Sequence, residues 1–242
     1  MRSMPDTRRQ RGPHPKDLGC FGEDRLPNLR RATDELSWLL GRGYSPKASL
    51  KLVGDRYALR DRQRKALQRC AASDEERRER DSRRVEPDEL AGETVIVDGY
   101  NVILTLEAAL SGGVLLLARD GVLRDLASLS AHYRRLSVTR PAVELLVEAL
   151  AGSGAVSVEC LLDRPISNSA RLKQLIEGIA TERNAAWTVR LSGRTDGDLK
   201  RSPHVVASAD SAILDACERW VNLARWLVET RLTGAWVVDL SE

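Results

Sequence analysis

The spacing of apolar residues predicts three helices in the N-terminal part of the chain. In NLRRATDELSWLLGRG, five apolar residues fall at helical spacing, and Gly43 is placed to end that helix. Ser45 and Pro46 form a favoured start for a second helix, because proline lacks only an N–H that would be unbonded at the first helical position. A third helix is predicted from about residue 60 to residue 72.

The pattern changes after residue 93. Apolar runs without polar alternation follow one another, separated by segments of helical periodicity, which predicts a parallel sheet with strands buried on both faces. The predicted strands are TVIVDG (94–99), AVSVECLLD (155–163), AWTVRLS (186–192), HVVASAD (204–210) and AWVVDLS (235–241), and the predicted helices are 122–136, 141–150, 170–183 and 212–230. The predicted fold class is α/β, a three-layer α/β/α parallel sheet with a small all-α N-terminal module.

These patterns divide the chain into four parts. Residues 1–27 are predicted to be a flexible basic leader, 28–72 the basic helical module, 73–93 a charged linker or solvated helix, and 94–242 the α/β domain. The formal net charge of +3 conceals a split between them. Residues 1–84 carry 22 basic and 13 acidic side chains, net +9, whereas residues 85–242 carry 16 and 22, net −6. The segment from residue 42 to residue 69 contains nine basic and two acidic residues, and this excess of positive charge predicts contact with a polyanion.

Several classes of protein are disfavoured by the composition. No window approaches the roughly 18 uninterrupted apolar residues of a membrane span, and no apolar stretch follows the charged N-terminus, so we expect a cytoplasmic protein. The four cysteines lie far apart without a CxxC pair, which predicts free thiols rather than a zinc ribbon or disulfide framework; Cys160 and Cys217 are expected to be buried. The three histidines are isolated, and P-loop, GxSxG and GxGxxG motifs are absent.

Carboxylates follow several of the predicted strands. In a parallel sheet the ligand site lies beyond the carboxyl ends of the strands, so side chains placed there converge. A cluster of like charges is tolerable only when a cation neutralises it or one group protonates, and oxygen ligands select Mg²⁺ or Mn²⁺. A single Asp after a strand is more often a turn former or helix N-cap, but three strands ending this way are harder to attribute to capping. The acids concerned are Asp98, Asp163, Asp196, Asp198 and Asp210.

The same residues carry a resemblance to a known superfamily. VIVDGYNVI resembles the opening motif of the PIN-like nucleases, in particular the NYN branch, whose first strand ends in Asp-Gly-Tyr-Asn. LLDR (161–164), TDGDL (195–199) and VASADSAI (206–213) resemble the later acidic motifs of that branch, in the same order. The resemblance covers approximately residues 93–240. Whole-chain similarity also points to a group of prokaryotic proteins that pair a basic helical N-terminal domain with a PIN-like C-terminal one.

The resemblance implies a metal-dependent endoribonuclease that hydrolyses RNA phosphodiesters. Asp98, Asp163 and Asp210, with Asp196 or Asp198, would hold one or two Mg²⁺ or Mn²⁺ ions, and Asn101 would position a metal-bound water or a phosphate oxygen. Active members commonly carry another acid two positions after the last Asp, and here Ala212 stands there. Asp215 is too far along, and Glu144 and Glu148 are candidates for a middle-helix acid or simply solvent-facing residues. The alternative is therefore a non-catalytic RNA-binding or adaptor protein with a degenerate PIN-like domain.

Contacts to RNA phosphates are predicted at two places. The first follows Asp163 at a predicted helix start, where N-capping by Ser167 explains the residues nearly as well. The second is the basic helical module, where a DNA-reading helix-turn-helix is a less favoured reading than generic phosphate contact. Asp120 and Asp125 are predicted either to start a helix near the site or to form a turn, and a homo-oligomer is left open. The predicted phosphate-binding residues are Arg164, Ser167, Asn168, Ser169 and Arg171 at the first place, and Arg60, Arg62, Arg64 and Lys65 at the second.

Overall fold

The N-terminal part of the chain forms short helices, and the rest alternates strands and helices. The structure, a computed structural model, describes residues 12–126 and 137–242. The helices are α1 (Asp17–Phe21), α2 (Leu26–Leu40), α3 (Pro46–Arg56), α4 (Asp61–Cys70), α5 (Asp74–Ser82), α6 (Gly99–Leu110), α7 (Thr139–Gly152), α8 (Ser169–Glu182), α9 (Thr195–Lys200), α10 (Ser211–Leu214) and α11 (Leu223–Arg231). The strands are β1 (Arg84–Val85), β2 (Thr94–Asp98), β3 (Leu115–Leu117), β4 (Leu123–Asp125), β5 (Ser157–Asp163), β6 (Trp187–Ser192), β7 (Val205–Ala207), β8 (Trp220–Val221) and β9 (Val237–Asp239). Two short 3-10 helices, Glu23–Arg25 and Pro87–Leu90, complete the elements of the described residues.

The three predicted helices of the module are α2, α3 and α4. Helix α3 has Ser45 at its N-cap and Pro46 in its first turn, which confirms that start, although the Ser45 side chain makes no capping hydrogen bond. Helix α2 ends at Leu40, and Gly43 adopts a left-handed backbone with φ of 76° just beyond it. The predicted leader is helical from Asp17 to Phe21, because Cys20 and Phe21 are buried against the module; residues 1–11 lie outside the described part.

The charged segment 73–93 contributes to the packed structure. Helix α5 begins with a capping box between Ser73 and Glu76, and its Arg80 is buried. After it, β1 pairs with β8 and so forms an edge of the main sheet. Leu90, in the following 3-10 helix, is fully buried in the main core. The segment therefore fastens the helical module to the sheet.

The main sheet has six strands in the order β1-β8-β7-β2-β5-β6, and every neighbouring pair is parallel. Valines of β2 at positions 95 and 97 pack in one cluster with α6, α7, α8 and α11, whereas Ile96 faces the opposite side and packs in another cluster with α9 and α10. Helices thus cover both faces, and the predicted three-layer α/β/α fold is confirmed. The chain runs from β2 outward to β5 and β6, then returns past β2 to β7. The strand order reverses at β2, which is the usual place for a ligand site in such sheets.

A second, smaller sheet has the order β4-β3-β9, with β3 antiparallel to β4 and parallel to β9. Some of its apolar side chains pack with the helical module, whereas Leu115 and Leu123 belong to the core of the main sheet. Leu116 and Val238 from this sheet are buried together with Leu36 and Leu67 from helices α2 and α4. The module and the α/β part therefore share a hydrophobic core.

Four predicted strands of the main sheet are confirmed at residues 94–98, 157–163, 187–192 and 205–207, but other predictions were wrong. The run 235–241 does contain a strand, β9, which belongs to the smaller sheet because it pairs with β3. The predicted helix 122–136 begins as strand β4 instead, since residues 123–125 pair with β3, and residues 127–136 lie outside the described part.

The predicted helix 212–230 is interrupted. Trp220 and Val221 form strand β8 between β7 and β1, which divides the segment into α10 and α11. The reason is tertiary pairing: the two β-favouring side chains are fully buried in the sheet, which outweighs the helical periodicity of the sequence around them. Helices α7 and α8 correspond to the predicted segments 141–150 and 170–183 within two residues at each end.

The predictions for the cysteines and for membrane-spanning segments can be compared with the structure. All four cysteines are free thiols, as predicted, and Cys160 and Cys217 are buried as expected; Cys20 and Cys70 are buried as well. No helix within residues 12–126 and 137–242 combines the length and the apolar character needed to cross a bilayer.

Candidate functional site

Three aspartates lie at the carboxyl ends of three adjacent strands. Asp98 is the last residue of β2 and Asp163 the last residue of β5, whereas Asp210 follows β7 by three residues. Because β7, β2 and β5 are neighbours in a parallel sheet, the three side chains emerge at the same edge, where the strand order reverses.

Asp98 is the buried centre of this edge. Its Oδ2 accepts a hydrogen bond of 2.7 Å from the hydroxyl of Ser208. Burial raises the pKa of the Asp98 carboxyl from 3.8 to about 7, against the hydrogen bonds from Ser208 and the Asn101 backbone, which lower it. The charges of Asp163 and Asp210 also raise this pKa to a smaller extent, so both acids lie close enough to act electrostatically on Asp98.

The residues after Asp98 are shaped by close packing. Helix α6 begins directly at Gly99, where a Cβ atom would lie 2.6 Å from Leu162 Cδ2 and 2.7 Å from Cys160 Sγ on β5. Only glycine fits there without displacing the strand. The Tyr100 hydroxyl lies 2.8 Å from Ser169 Oγ and is buried. The Asp-Gly-Tyr sequence therefore also fixes α6 against β5 and α8.

Asn101 contacts the loop that carries Asp210. Its Oδ1 accepts a hydrogen bond of 2.8 Å from the backbone N–H of Ala209. This leaves the Nδ2 group as the part of the side chain that can donate to a ligand. Both predicted roles for Asn101 remain compatible with this arrangement, because Nδ2 can donate to a water oxygen or to a phosphate oxygen.

Asp210 also acts as a helix cap. Its Oδ1 accepts hydrogen bonds from Ala212 N at 2.9 Å and Ile213 N at 3.3 Å, so the capping interpretation of this acid is correct. Capping does not remove it from the site, since its charge still acts on Asp98. Ser208 links the two acids. Its Oγ donates a hydrogen bond to Asp98 and accepts one of 3.2 Å from the backbone N–H of Asp210.

Arg124 is a site residue that the sequence did not reveal. Its Nε donates to Ala209 O at 2.8 Å, so the two faces of the loop at Ala209 are held by Asn101 and Arg124. The rest of its guanidinium binds both oxygens of Asp120 at 2.7 Å, and Arg80 binds Asp120 at 2.6 Å. All three charged groups of this triad are buried. The sequence RDGVLRD (119–125) has no hydrophobic periodicity from which this buried ion-pair network could be predicted.

Asp120 and Asp125 both stabilise the local structure. Asp120 precedes a turn at Gly121, whose φ is 74°, so the turn interpretation is right and a helix does not begin there. Asp125 ends β4 and accepts a hydrogen bond of 3.1 Å from Thr105 Oγ1 on α6. Arg69 of α4 also contacts Asp125, at its backbone carbonyl and its carboxylate.

The acids of the TDGDL motif lie farther out. Asp198 accepts hydrogen bonds of 2.8 Å from Ser192 and from Arg190, which lower the pKa of its carboxyl. Both partners belong to β6, the outermost strand beyond β5. Asp196 is exposed in the first turn of α9. Asp198 is thus committed to a salt bridge beside the edge rather than joined to Asp98.

The residues predicted to bind phosphate after Asp163 have mainly local partners. Helix α8 has Asn168, with φ of 67°, at its N-cap, so the capping role proposed for Ser167 was wrong. Ser169 is buried, and its Oγ lies 2.7 Å from Asp163 O and 2.6 Å from Ile166 O. Arg164 and Arg171 are exposed and bind Leu191 O and Asn168 Oδ1, respectively. Ser169 therefore stabilises the turn instead of facing a ligand.

Of the four basic residues of α4 and its N-cap that were predicted to bind phosphate, three contact other helices and one lines a cleft. Arg62 binds the buried Asp17 at 2.6 Å, Arg64 binds Asp55 at 2.8 Å, and Arg60 reaches Gly19 O at 3.4 Å. These three arginines hold α4 to α1 and α3. Lys65 instead lines a cleft between α4 and the carboxylate edge.

This cleft has a volume of about 470 Å³ and joins the two parts of the chain. Helix α4 supplies one wall, α6 and β4 supply the opposite wall, and the loop after β7 forms the floor. The lining residues are Lys65, Gln68, Arg69, Asn101, Thr105, Arg124, Asp125, Ala209, Asp210, Ser211 and Ala212. Four lining residues were not among the predicted site residues: Gln68, Arg69, Thr105 and Arg124. For the two on α4, the sequence does not show which face of the helix meets the sheet.

The other candidate acids lie away from this edge or too far apart to form a complete metal-binding set. Glu144 and Glu148 of α7 form surface ion pairs with Arg140 and Arg183, as the solvent-facing interpretation predicts. Within the described ranges 12–126 and 137–242, no three His, Cys, Asp or Glu side chains lie close enough together to hold a metal ion. The oxygen donors of the edge suit a hard divalent cation in kind.

Comparison with known proteins gives two family matches. The model described as "Domain of unknown function (DUF5616)" matches residues 87–226, and that described as "Protein of unknown function (DUF434)" matches residues 28–83. "Uncharacterized protein MJ0935" of Methanocaldococcus jannaschii is 27% identical over 187 residues, which cover 77% of this chain and 89% of that protein. No solved structure matches the chain significantly.

Proposed function

The chain belongs to the DUF5616 family, whose description assigns no activity, and from the site itself we propose that it is a metal-dependent ribonuclease. The observation that carries the proposal is the convergence of Asp98, Asp163 and Asp210 at the ends of three adjacent parallel strands. The resemblance of the DGYN motif to NYN-type PIN-like nucleases supports the same reaction class. In this proposal the basic N-terminal module recruits RNA through its phosphates, and the carboxylate edge cuts it.

A divalent cation, Mg²⁺ or Mn²⁺, is proposed from the chemistry of the donors rather than from a formed set of three ligands. The three acids are oxygen donors of the kind that such ions prefer; burial raises the pKa of Asp98, and repulsion from Asp163 and Asp210 adds a smaller increase. A bound cation would offset that repulsion. When bound, it would supply a water of lowered pKa and offset the negative charge that develops on the phosphate.

The remaining residues of the edge have positioning tasks in this proposal. The hydroxyl of Ser208 holds the Asp98 carboxylate and the Asp210 backbone in fixed relation. Asn101 fixes the loop through Oδ1 and offers Nδ2 to a phosphate oxygen in the cleft that it lines. Arg124 holds the same loop from the other side through Ala209 O. Such fixed donors act without reorganising when charge develops on a substrate.

The test is cleavage of labelled RNA by the full-length protein. We expect cleavage of single-stranded or structured RNA with Mn²⁺, none with EDTA, and a loss in Asp98→Asn larger than the roughly 10–100-fold that loss of an outer-shell partner costs. Asp88→Asn is the matched control, because it removes an exposed carboxylate outside the site and should leave cleavage unchanged. Cleavage that survives both EDTA and Asp98→Asn would overturn the assignment.

A second candidate is a non-catalytic RNA-binding or adaptor protein. It is favoured by Ala212, which stands where active relatives of the resembled superfamily carry an acid, and by the use of Asp210 as a helix cap. Titration calorimetry with Mn²⁺ distinguishes the two candidates. The nuclease requires a saturable heat of Mn²⁺ binding that Asp98→Asn removes, whereas an adaptor binds RNA without any such heat.

A further inference from the structure

The short helix α10 carries one acid of the carboxylate edge. Asp210 is its N-cap and Asp215 its C-cap, with only four helical residues between them. So short a helix has few internal hydrogen bonds with which to hold its own position. The buried side chains of Ile213 and Leu214 fasten its inner face to the core, and polar groups bind its two ends. The position of Asp210 relative to Asp98 therefore depends on those polar groups.

Arg124 holds the start of α10. Its Nε donates to Ala209 O at 2.8 Å, and its Nη2 donates to Ser211 Oγ at 3.2 Å, so it contacts the chain on both sides of Asp210. The same guanidinium donates to both carboxylate oxygens of Asp120 at 2.7 Å. A planar guanidinium bound to both oxygens of a carboxylate is fixed in orientation. Arg124 thus transmits the position of Asp120 to the chain around Asp210.

Two arginines of α5 hold the end of α10 and the segment after it. Arg80 Nε donates to Asp215 Oδ1 at 2.7 Å. Arg83 Nη1 donates to the carbonyl oxygens of Asp215 at 3.2 Å and Cys217 at 2.8 Å. In return, the indole N–H of Trp220 donates to the Arg80 carbonyl at 2.7 Å. The connection between β7 and β8 is therefore fastened to α5 at several points.

Arg80 is the group that joins the two ends. Besides Asp215 it binds Asp120 at 2.6 Å, which is the carboxylate that also holds Arg124. The Arg80 side chain is 3% exposed and that of Asp120 is fully buried. The cost of removing such charges from water offsets much of their attraction, so a buried network of this kind is better suited to fixing one arrangement than to adding net stability.

We propose that Arg80 is a positioning residue for Asp210, through which the helical part of the chain determines the geometry of the carboxylate edge. The inference deepens the proposed function and rests on it for the role of Asp210 in binding a cation. Arg80 lies in the segment matched as DUF434, and Asp210 lies in the segment matched as DUF5616. The two segments thus contribute to one site, in which the first orients an acid that the second carries.

Hydrogen exchange of backbone amides tests the positioning role without metal or RNA. Wild type and Arg80→Met are compared in EDTA by mass spectrometry of peptides that cover residues 208–217 and the strand β5. We expect exchange in 208–217 to be about tenfold faster or more in the variant, because both ends of α10 lose a charged partner, while exchange in β5 stays unchanged. Arg77→Met is the matched control, since Arg77 is an exposed arginine of the same helix, and it should exchange as the wild type does.

The affinity for Mn²⁺ shows whether this position matters to the site. Calorimetric titration of the folded proteins should give a dissociation constant roughly 10–100-fold higher in Arg80→Met, the usual cost of losing an outer-shell partner. Asp215→Asn removes one charged bond of Arg80 at an exposed residue, and should change both measurements in the same direction by a smaller factor. If Arg80→Met does not fold, Asp215→Asn decides the question. Its control is Asp81→Asn, which removes an exposed carboxylate of α5.

Three results would overturn the proposal. Exchange that is unchanged at 208–217 would show that Arg80 does not hold this segment. Exchange that is faster throughout the protein, β5 included, would show that Arg80 stabilises the fold and has no local positioning role. An unchanged Mn²⁺ affinity in a variant whose segment 208–217 exchanges faster would show that the site does not depend on it. A wild-type protein that binds no Mn²⁺ would instead refute the proposed ribonuclease, and the exchange measurement would still decide whether Arg80 positions Asp210.

Discussion

At the scale of single residues, the charge state of Asp98 is the most informative property of the site. Its carboxyl is buried, and its pKa of about 7 lies above the ordinary 3.8 mainly because burial disfavours the charged form. The folded protein therefore keeps a proton on Asp98 in a pH range where the unfolded chain has released it. Stability from this source is present at low pH and is lost as pH rises toward 7.

Asp98→Asn is expected to stabilise the protein at pH 8 but hardly at pH 4. The amide cannot ionise, so the variant avoids the cost of burying a charge, which the difference between pKa values of 3.8 and about 7 places at up to about 4 kcal/mol. Urea unfolding of both proteins in EDTA measures the free energy of unfolding at the two pH values. A difference that is the same at pH 4 and pH 8 would show that Asp98 has an ordinary pKa.

The positions of Asp98 and Asp210 at strand ends could be predicted, because each follows an apolar run that forms a strand of the main sheet. Arg124 could not, because its role depends on a strand pairing between β3 and β4 that brings it beside Ala209. Ser167 failed for a related reason: the backbone turns one residue later, and Asn168 occupies the cap.

At the scale of elements, the loop between β7 and α10 is held by the parts around it. Asn101 binds the N–H of Ala209 and Arg124 binds its carbonyl, so α6 and β4 together determine where Asp210 lies. Arg124 in turn depends on Asp120, which it shares with Arg80 of α5. The position of the loop that carries Asp210 is thus connected to the segment that fastens the helical module.

Arg124→Met is expected to lower the free energy of unfolding by about 3 kcal/mol. The substitution breaks a buried charge network, leaving Asp120 with Arg80 alone and the Ala209 carbonyl without its donor. Denaturant unfolding at neutral pH measures the change. Arg140→Met, which removes only exposed ion pairs on α7, is the control and should unfold as the wild type does. Equal stability of all three proteins would show that the triad contributes nothing.

Element prediction failed where pairing overrides local pattern. Residues 212–230 have helical periodicity, yet Trp220 and Val221 pair with β7 and β1 because a place in the sheet buries both side chains fully. The strand at residues 237–239 was predicted, but it was assigned to the wrong sheet. An apolar run does not show which strand it pairs with, and this one pairs with β3. Strands β2 and β7 were predictable because they are buried on both faces and read as continuous apolar runs, whereas the outermost strand β6 exposes Thr188 and Arg190.

At the scale of the whole molecule, the helical module and the α/β part are one structure. A single apolar cluster contains Leu36 and Leu67 from the module together with Leu116 and Val238 from the smaller sheet. The charge split of +9 and −6 was visible in the sequence, and it predicted two halves with opposite roles. The sequence did not show that the basic half forms a wall of the cleft, because that depends on how α4 docks. In the structure, the two charged halves meet at this cleft.

The most direct test of the central claim is a crystal structure of the protein soaked in Mn²⁺, with anomalous scattering used to locate the ion. The account predicts an anomalous peak at the carboxyl ends of β2, β5 and β7, coordinated by the carboxylates of Asp98 and of Asp163 or Asp210, and its disappearance in Asp98→Asn. Peaks confined to surface carboxylates such as Asp196, with none at Asp98, would contradict a metal-dependent nuclease at this edge.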